Sequence, residues 1–208
     1  MRARIRRALA VVALSAASIG VCALPTDESA RAIDDPDVED VMNPTSTTST
    51  TAVTGTTRLR ELWFIQDPEG LLSIDGRQVA TDATITGILN LLTDPPSDGS
   101  LRSAIPPEFQ VVDTSLDAAT GTLRIDIAED LATLGLSGNE LLRAVAQIVV
   151  TAIDLEGWEV DQVRFFVDGE VTSVPAGELG EDESDPVDAC DYQNVLPEDV
   201  PCSSIGRS

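Results

Sequence analysis

Protein chemistry needs nucleophiles, proton carriers or metal ligands, and this 208-residue chain lacks two of the most versatile: it has no histidine, and its thirteen basic residues are all arginine. Without histidine there is no Ser-His-Asp or Cys-His arrangement and no imidazole-ligated zinc. Without lysine there is no Schiff-base amine. What survives is carboxylate chemistry. Asp126, Glu129 and Asp130 follow an alternating apolar run, and two of them could be imagined as the acid and base of a glycosidase, which would also need a cleft and an aromatic sugar platform. Trp63 and Trp158 are the available indoles, and each fits the edge of a hydrophobic core at least as well. The run ELGEDESDPVDACD, residues 178–191, holds seven acids and no base. It lacks the ligand spacing and central glycine of a calcium loop, so it reads as a solvated acidic stretch. No catalytic residue, metal ligand or cofactor is assigned, and the chain is not expected to be an enzyme.

The cysteines speak to location. MRARIRR opens the chain with four arginines and no acid, and Ala8 to Val21 carry no charge. A membrane span needs about 20 apolar residues, so this shorter run reads as a bacterial export signal. Cys22 follows it directly. Ile19, Gly20 and Val21 fit the small-residue box of a lipoprotein signal in part, while Val21 and Ala23 fit ordinary cleavage after Ala23. The first alternative makes Cys22 an acylated N-terminus on the outer face of the cell membrane; the second gives a secreted product. Lipidation at Cys22 is the reading carried forward. Cys190 and Cys202 lie close together, and exported thiols tend to oxidise, so they are expected to pair. Closing a loop of about a dozen residues removes on the order of 3 kcal/mol of unfolded-state entropy.

Charge narrows the partners. Counted from Cys22, nine arginines face 36 acids, a net charge of 9 − 36 = −27. Such a chain repels nucleic acid and anionic head groups, which leaves the N-terminal lipid as the expected membrane contact and a protein of the envelope as the expected partner. On so acidic a surface the scarce cations are the natural contact points, and Arg143 and Arg164 are the expected ones.

The elements that must position these residues follow from composition and period. Residues 1–21 form the signal. Residues 22–57 are expected to be an acidic and Ser/Thr-rich tether without the large apolar residues that folding requires. Residues 58–175 hold nearly all the large apolar side chains and make one domain of ordinary size. Residues 176–208 form an acidic C-terminal tail.

Within the domain, LRELWFIQ and LLSIDGRQV read as strands flanking the turn DPEG. Ile85, Ile88, Leu89 and Leu92 follow helical spacing, with Thr81 or Asp82 as N-cap and DPP as stop. FQVVDTSL and TLRIDI form a hairpin around DAATG, the second arm alternating Leu123, Ile125 and Ile127 against polar residues. Ser137 and Glu140 have capping-box spacing before a long amphipathic helix that Gly157 ends. Leu141, Val145, Ile148, Val149 and Ala152 are its expected buried stripe, with Arg143 and Gln147 outward. VDQVRFFVDG and EVTSV make a last hairpin about Asp168-Gly169. The fold class is α+β: two helices packed on one mostly antiparallel sheet.

ITGILNLLTDPP, LRSAIPPEFQVVDTSLDAATGTLRIDIA and LLRAVAQIVVTAIDLEGWEVDQVRFFVDGE resemble the GerMN domain of sporulation and spore-germination proteins, which also occurs in bacterial envelope lipoproteins. The resemblance covers about residues 60–175, with DYQNVLP in the tail as an addition. Its most specific fragments are Ala104-Ile105-Pro106, Ala146-Gln147-Ile148-Val149 and Phe166-Val167-Asp168-Gly169. It implies a small α+β domain without catalytic activity, acting through protein contacts at the cell envelope. The rival reading is a protein that binds or hydrolyses wall polymer.

Overall fold

Two ten-residue strands, β1 (Thr57–Gln66) and β2 (Leu71–Ala80), open the computed structural model, which describes residues 56–97 and 99–206. The signal, Cys22 and all but the end of the expected tether lie outside the described residues. β1 and β2 pair antiparallel from Thr57↔Ala80 to Gln66↔Leu71, and the short β3 (Leu101–Arg102) joins the far end of β1. Helix α1 (Ile85–Asn90) runs into a 3-10 turn at Leu91–Thr93, and Ile85, Ile88, Leu89 and Leu92 are all buried. Its cap is Thr84, whose Oγ1 accepts from Gly87 N at 3.1 Å. Thr81 is used elsewhere: its amide and hydroxyl donate to Thr56 O at 3.0 and 2.7 Å, closing the start of β1.

The second half is built around α2 (Gly138–Asp154). β4 (Val111–Asp117) and β5 (Thr122–Ile127) form the expected hairpin; α2 then carries the chain over to β6 (Gln162–Val167), which pairs parallel with β5. A parallel pair needs such a crossover connection. β7 (Glu170–Val171) turns back on β6 through Asp168 and Gly169, at φ 52° and 80°, both left-handed as the tight hairpin turn requires.

The expectation of one mostly antiparallel sheet is therefore corrected. The strands of the described residues form three sheets, ordered β2-β1-β3, β4-β5-β6-β7 and β8-β9, where β8 is Val174–Ala176 and β9 is Glu181–Glu183. Among the described residues, two α-helices and three 3-10 segments accompany them. Alternation shows that a strand has a wet face and a dry one; it does not show which sheet the strand joins.

Two expectations for α2 also change. Its burial is no stripe: every residue from Ala144 to Ile153 is buried, because α2 touches β1, β6, β8, α1 and the C-terminal segment. Gln147, expected outward, is fully buried, and its Oε1 accepts from Ala104 N at 2.9 Å. Ser103 extends the network, its Oγ donating to Leu92 O at 2.6 Å and accepting from Ile105 N at 3.0 Å. Two of the fragments that carry the resemblance, residues 104–106 and 146–149, thus meet through one buried side chain whose loss would strand an amide. The capping box is not formed either. Ser137 makes no side-chain cap bond, and Glu140 turns to Arg102 at 3.3 Å and Arg143 at 3.1 Å.

Of the expected C-terminal tail, residues 176–206 are described, and they pack on the domain. Val187, Ala189, Tyr192, Val195, Leu196 and Ile205 join the same core as the domain. Val187 exchanges backbone bonds with Val163 of β6 at 2.8 and 2.9 Å, and Tyr192 donates from its buried hydroxyl to Pro175 O at 3.1 Å. Cys190 and Cys202 are disulfide-bonded, as expected. The acids of residues 181–185 do face solvent, so composition described that surface correctly while a few spaced apolar residues anchored the segment.

Candidate contact surface

Alternation along β5 and β6 decides which arginines meet. In β5, Leu123, Ile125 and Ile127 are buried and Thr122, Arg124 and Asp126 are half-exposed; in β6, Val163 and Phe165 are buried and Gln162, Arg164 and Phe166 are half-exposed. The parallel register sets Arg124 opposite Arg164, and β4 sets Ser115 opposite Arg124. Two like charges directly opposed across strands destabilise a sheet unless something offsets them. Here each guanidinium has a carboxylate at its margin. Arg124 Nη2 lies 2.7 Å from Asp126 Oδ2, and Arg164 Nη2 lies 3.5 Å from Asp185 Oδ1 while its Nε donates to Ser184 O at 3.2 Å. Arg124 also stacks over Phe166, 3.7 Å from the ring centroid. A groove of about 480 Å³ runs over these residues between Leu116 and Pro186.

Arg164 thus stands beside Arg124, which sequence reasoning passed over. Both TLRIDI and QVRFFV place an arginine on the wet face, but the parallel register that joins them was not legible. Arg143 is elsewhere. It is half-buried on α2, its Nε donating to Gly70 O at 3.0 Å, which ties the helix to the β1–β2 turn, and its Nη1 donating to Glu140 of the same helix at 3.1 Å. Gly70 has φ 70°, a left-handed conformation that favours glycine, and a Cβ there would stand 2.8 Å from Arg143 Nη2, so any other residue would strain the turn and displace the tip of the arginine.

Of the carboxylates considered for hydrolysis, Asp126 and Asp130 hold turns. Asp126 binds Arg124 and accepts from Gly169 N at 3.3 Å; Asp130 accepts from Ala132 N at 2.8 Å and Thr172 Oγ1 at 2.9 Å; Glu129 is exposed. Trp63 is buried, its indole donating to Asp154 Oδ2 at 2.9 Å and its amide to Thr151 Oγ1 at 3.1 Å. Trp158 borders a cavity of about 740 Å³ together with Asp154, Glu156, Glu159 and Asp161. The guanidinium carbons of Arg60 and Arg58 lie 5.0 and 5.6 Å from the centre of its ring. Burial, with Arg58 nearby, lowers the pKa of Arg60, while Glu156 at 3.8 Å opposes the shift. Among the described residues no group of three or more Cys, Asp or Glu is placed to hold a metal ion, and no helix is long and apolar enough to cross a membrane.

Residues 61–173 match the family described as Germane, sporulation and spore germination. Among solved structures, the tandem GerMN domains of the sporulation protein GerM from Bacillus subtilis are similar at a TM-score of 0.50 and 17% identity, over 64% of this chain and 46% of that one. The chain therefore spans under half the length of that structure, and the likeness speaks to fold. A putative lipoprotein from Clostridium perfringens aligns at a TM-score of 0.37 and 16% identity, over 65% of this chain and 89% of that one. No curated protein sequence matches.

Proposed function

Because the chain belongs to the Germane family of sporulation and spore germination, we propose that it is a non-catalytic contact module of a bacterial cell envelope. Cys22 carries lipid in this reading and holds the protein on the outer face of the membrane. Lipoprotein processing places more than one acyl chain at such an N-terminus, and each buried methylene contributes about 0.8 kcal/mol, so the anchorage is stable where a single chain would release it. The domain then meets another envelope protein through the outer face of the β4-β5-β6-β7 sheet. The observation that carries the reading is that face itself: two of the chain's few arginines stand in register beside Phe166, in a chain that carries 36 acids.

The test joins location and contact. Wild type and Cys22→Ser are expressed in the native envelope with a photo-crosslinker at Ser115, an exposed position on the face. Membrane retention and a fatty-acid label on wild type alone, with a discrete crosslinked protein, are the expected outcome. Equal release of both forms would end the lipoprotein claim, and an absence of protein crosslinks would end the contact claim.

The Trp158 cavity favours a second reading, binding of wall polymer, since an indole bordered by carboxylates is a chemistry that sugars use. Retention on purified cell-wall material that Trp158→Ala abolishes would favour it over the first.

A further inference from the structure

We propose that the Arg124–Arg164 face docks an extended, acidic segment of the partner protein, with one aliphatic side chain seated against Phe166. This rests on the contact-module reading above and adds the chemistry of what is bound. Three observations lead to it.

The first is charge. Arg124 and Arg164 are cross-strand partners in the parallel β5–β6 ladder, where neighbouring strands lie about 4.8 Å apart, and both side chains stand on the same face of the sheet. Asp126 engages Arg124 through Nε and Nη2, and Arg164 makes one hydrogen bond, from Nε to Ser184 O, and one long ion pair. Arginine has five donors, so both retain N–H groups for a further acceptor. Their side chains are 39% and 36% exposed, enough to be reached from solvent. A carboxylate docked on this face would take up those remaining donors in charge-assisted hydrogen bonds.

The second is a precedent within the chain. Arg164 already holds an acidic segment, taking the Ser184 carbonyl and the Asp185 carboxylate together, while Val187 of the same segment pairs with Val163. Backbone carbonyl plus side-chain carboxylate is what an extended acidic peptide offers an arginine.

The third separates a peptide from a phosphate polymer. The groove is half apolar: Phe166, Leu116 and Pro186 line it, and Val171, 45% exposed, pairs with Phe166 at its border. A polyphosphate or sugar-phosphate chain has nothing aliphatic to place there, whereas a peptide carrying leucine between two acids does. In an extended chain residues i, i+2 and i+4 share one face, so Glu-Ser-Leu-Ser-Glu presents acid, leucine and acid to the sheet.

The experiment uses the full chain in detergent micelles and a fluorescein-labelled Glu-Ser-Leu-Ser-Glu peptide, read by anisotropy. Salt-sensitive binding is expected, weakened about tenfold or more in Arg124→Gln/Arg164→Gln and about threefold when Ala replaces the leucine of the peptide. Because Arg124 also packs on Phe166, Ser115→Glu is the second variant. It adds a negative charge at an exposed site opposite Arg124 and is expected to weaken binding with an unchanged melting temperature. No binding, or unchanged affinity in Ser115→Glu and in a folded double glutamine variant, overturns the proposal. Displacement of the peptide by inorganic polyphosphate at equal concentration overturns it in favour of a phosphate ligand. If the peptide fails while the Ser115 crosslink still captures a protein, the acidic chemistry is wrong and the contact module stands.

Discussion

Helix α2 and the segment from Val174 to Ile205 bury residues in the same core, yet they reach it by opposite means. α2 is a continuous block in which every residue from Ala144 to Ile153 is buried, joined to the sheets on several sides. The C-terminal segment is mostly polar and acidic and touches the core only at spaced anchors, of which Tyr192 and Val187 are the most buried. A packed helix draws its stability from area and tight fit. A sparse strap has little area, so it depends on a few hydrogen bonds and on the Cys190–Cys202 crosslink. Each should therefore fail in its own way, and four changes test it.

The largest effect is expected from Ile148→Asp. It puts an unpaired carboxylate where solvent does not reach, beyond the roughly 4 kcal/mol that marks an exceptional loss, and the variant should not fold. Circular dichroism decides it; a cooperative melt like the parent's would mean that α2 is not the core element described here.

Next comes Cys190→Ala/Cys202→Ala. The bond closes a separation of 12 residues, so its loss should cost about 3 kcal/mol. Hydrogen exchange should show the weakening first in residues 187–205 and only later in α2. Uniform loosening would erase the distinction between strap and block.

Tyr192→Phe should cost about 1 kcal/mol through the lost bond to Pro175 O. It also carries a pH signature. Burial, with Asp191 and Asp188 nearby, raises the pKa of Tyr192 in the fold above the ordinary value of about 10. The folded state therefore keeps a proton that the unfolded state releases. The stabilisation is complete below pH of about 10 and is lost as pH rises beyond it. Tyr192 is the only tyrosine of the chain, so tyrosinate absorbance should appear together with unfolding in an alkaline titration. Tyrosinate forming before the fold opens would show that the strap detaches independently. In Tyr192→Phe this part of the alkaline slope should vanish.

The smallest effect is expected at Ser137→Ala. Capping-box spacing alone would give a loss of about 0.5 to 2 kcal/mol. With no side-chain cap bond at Ser137, thermal denaturation should move by less than about 0.5 kcal/mol. A full cap-sized loss would restore the box.

Much of the architecture was legible because it is local. The helical spacing from Ile85 to Leu92, the DAATG and Asp168-Gly169 turns and the alternation of TLRIDI each depend on residues within a few positions of one another, and each is present in the fold. The misreadings share a different cause. Gln147 looked like a surface residue because its partner, Ala104 N, is 43 positions away. Glu140 looked like a cap because Arg102, 38 positions away, could not be seen to claim it.

Composition, period and proximity along the chain were enough to exclude histidine and lysine chemistry and to mark the α+β elements and the Cys190–Cys202 pair, and the resemblance of a few fragments was enough for the family. Folding in three dimensions was needed to settle that the described strands divide into three sheets, that residues 187–205 supply side chains to the core, and that Arg164 stands opposite Arg124 while Arg143 serves a turn. Register and sheet membership arise from the packing of segments far apart in the chain, which free energy selects globally and no local pattern records.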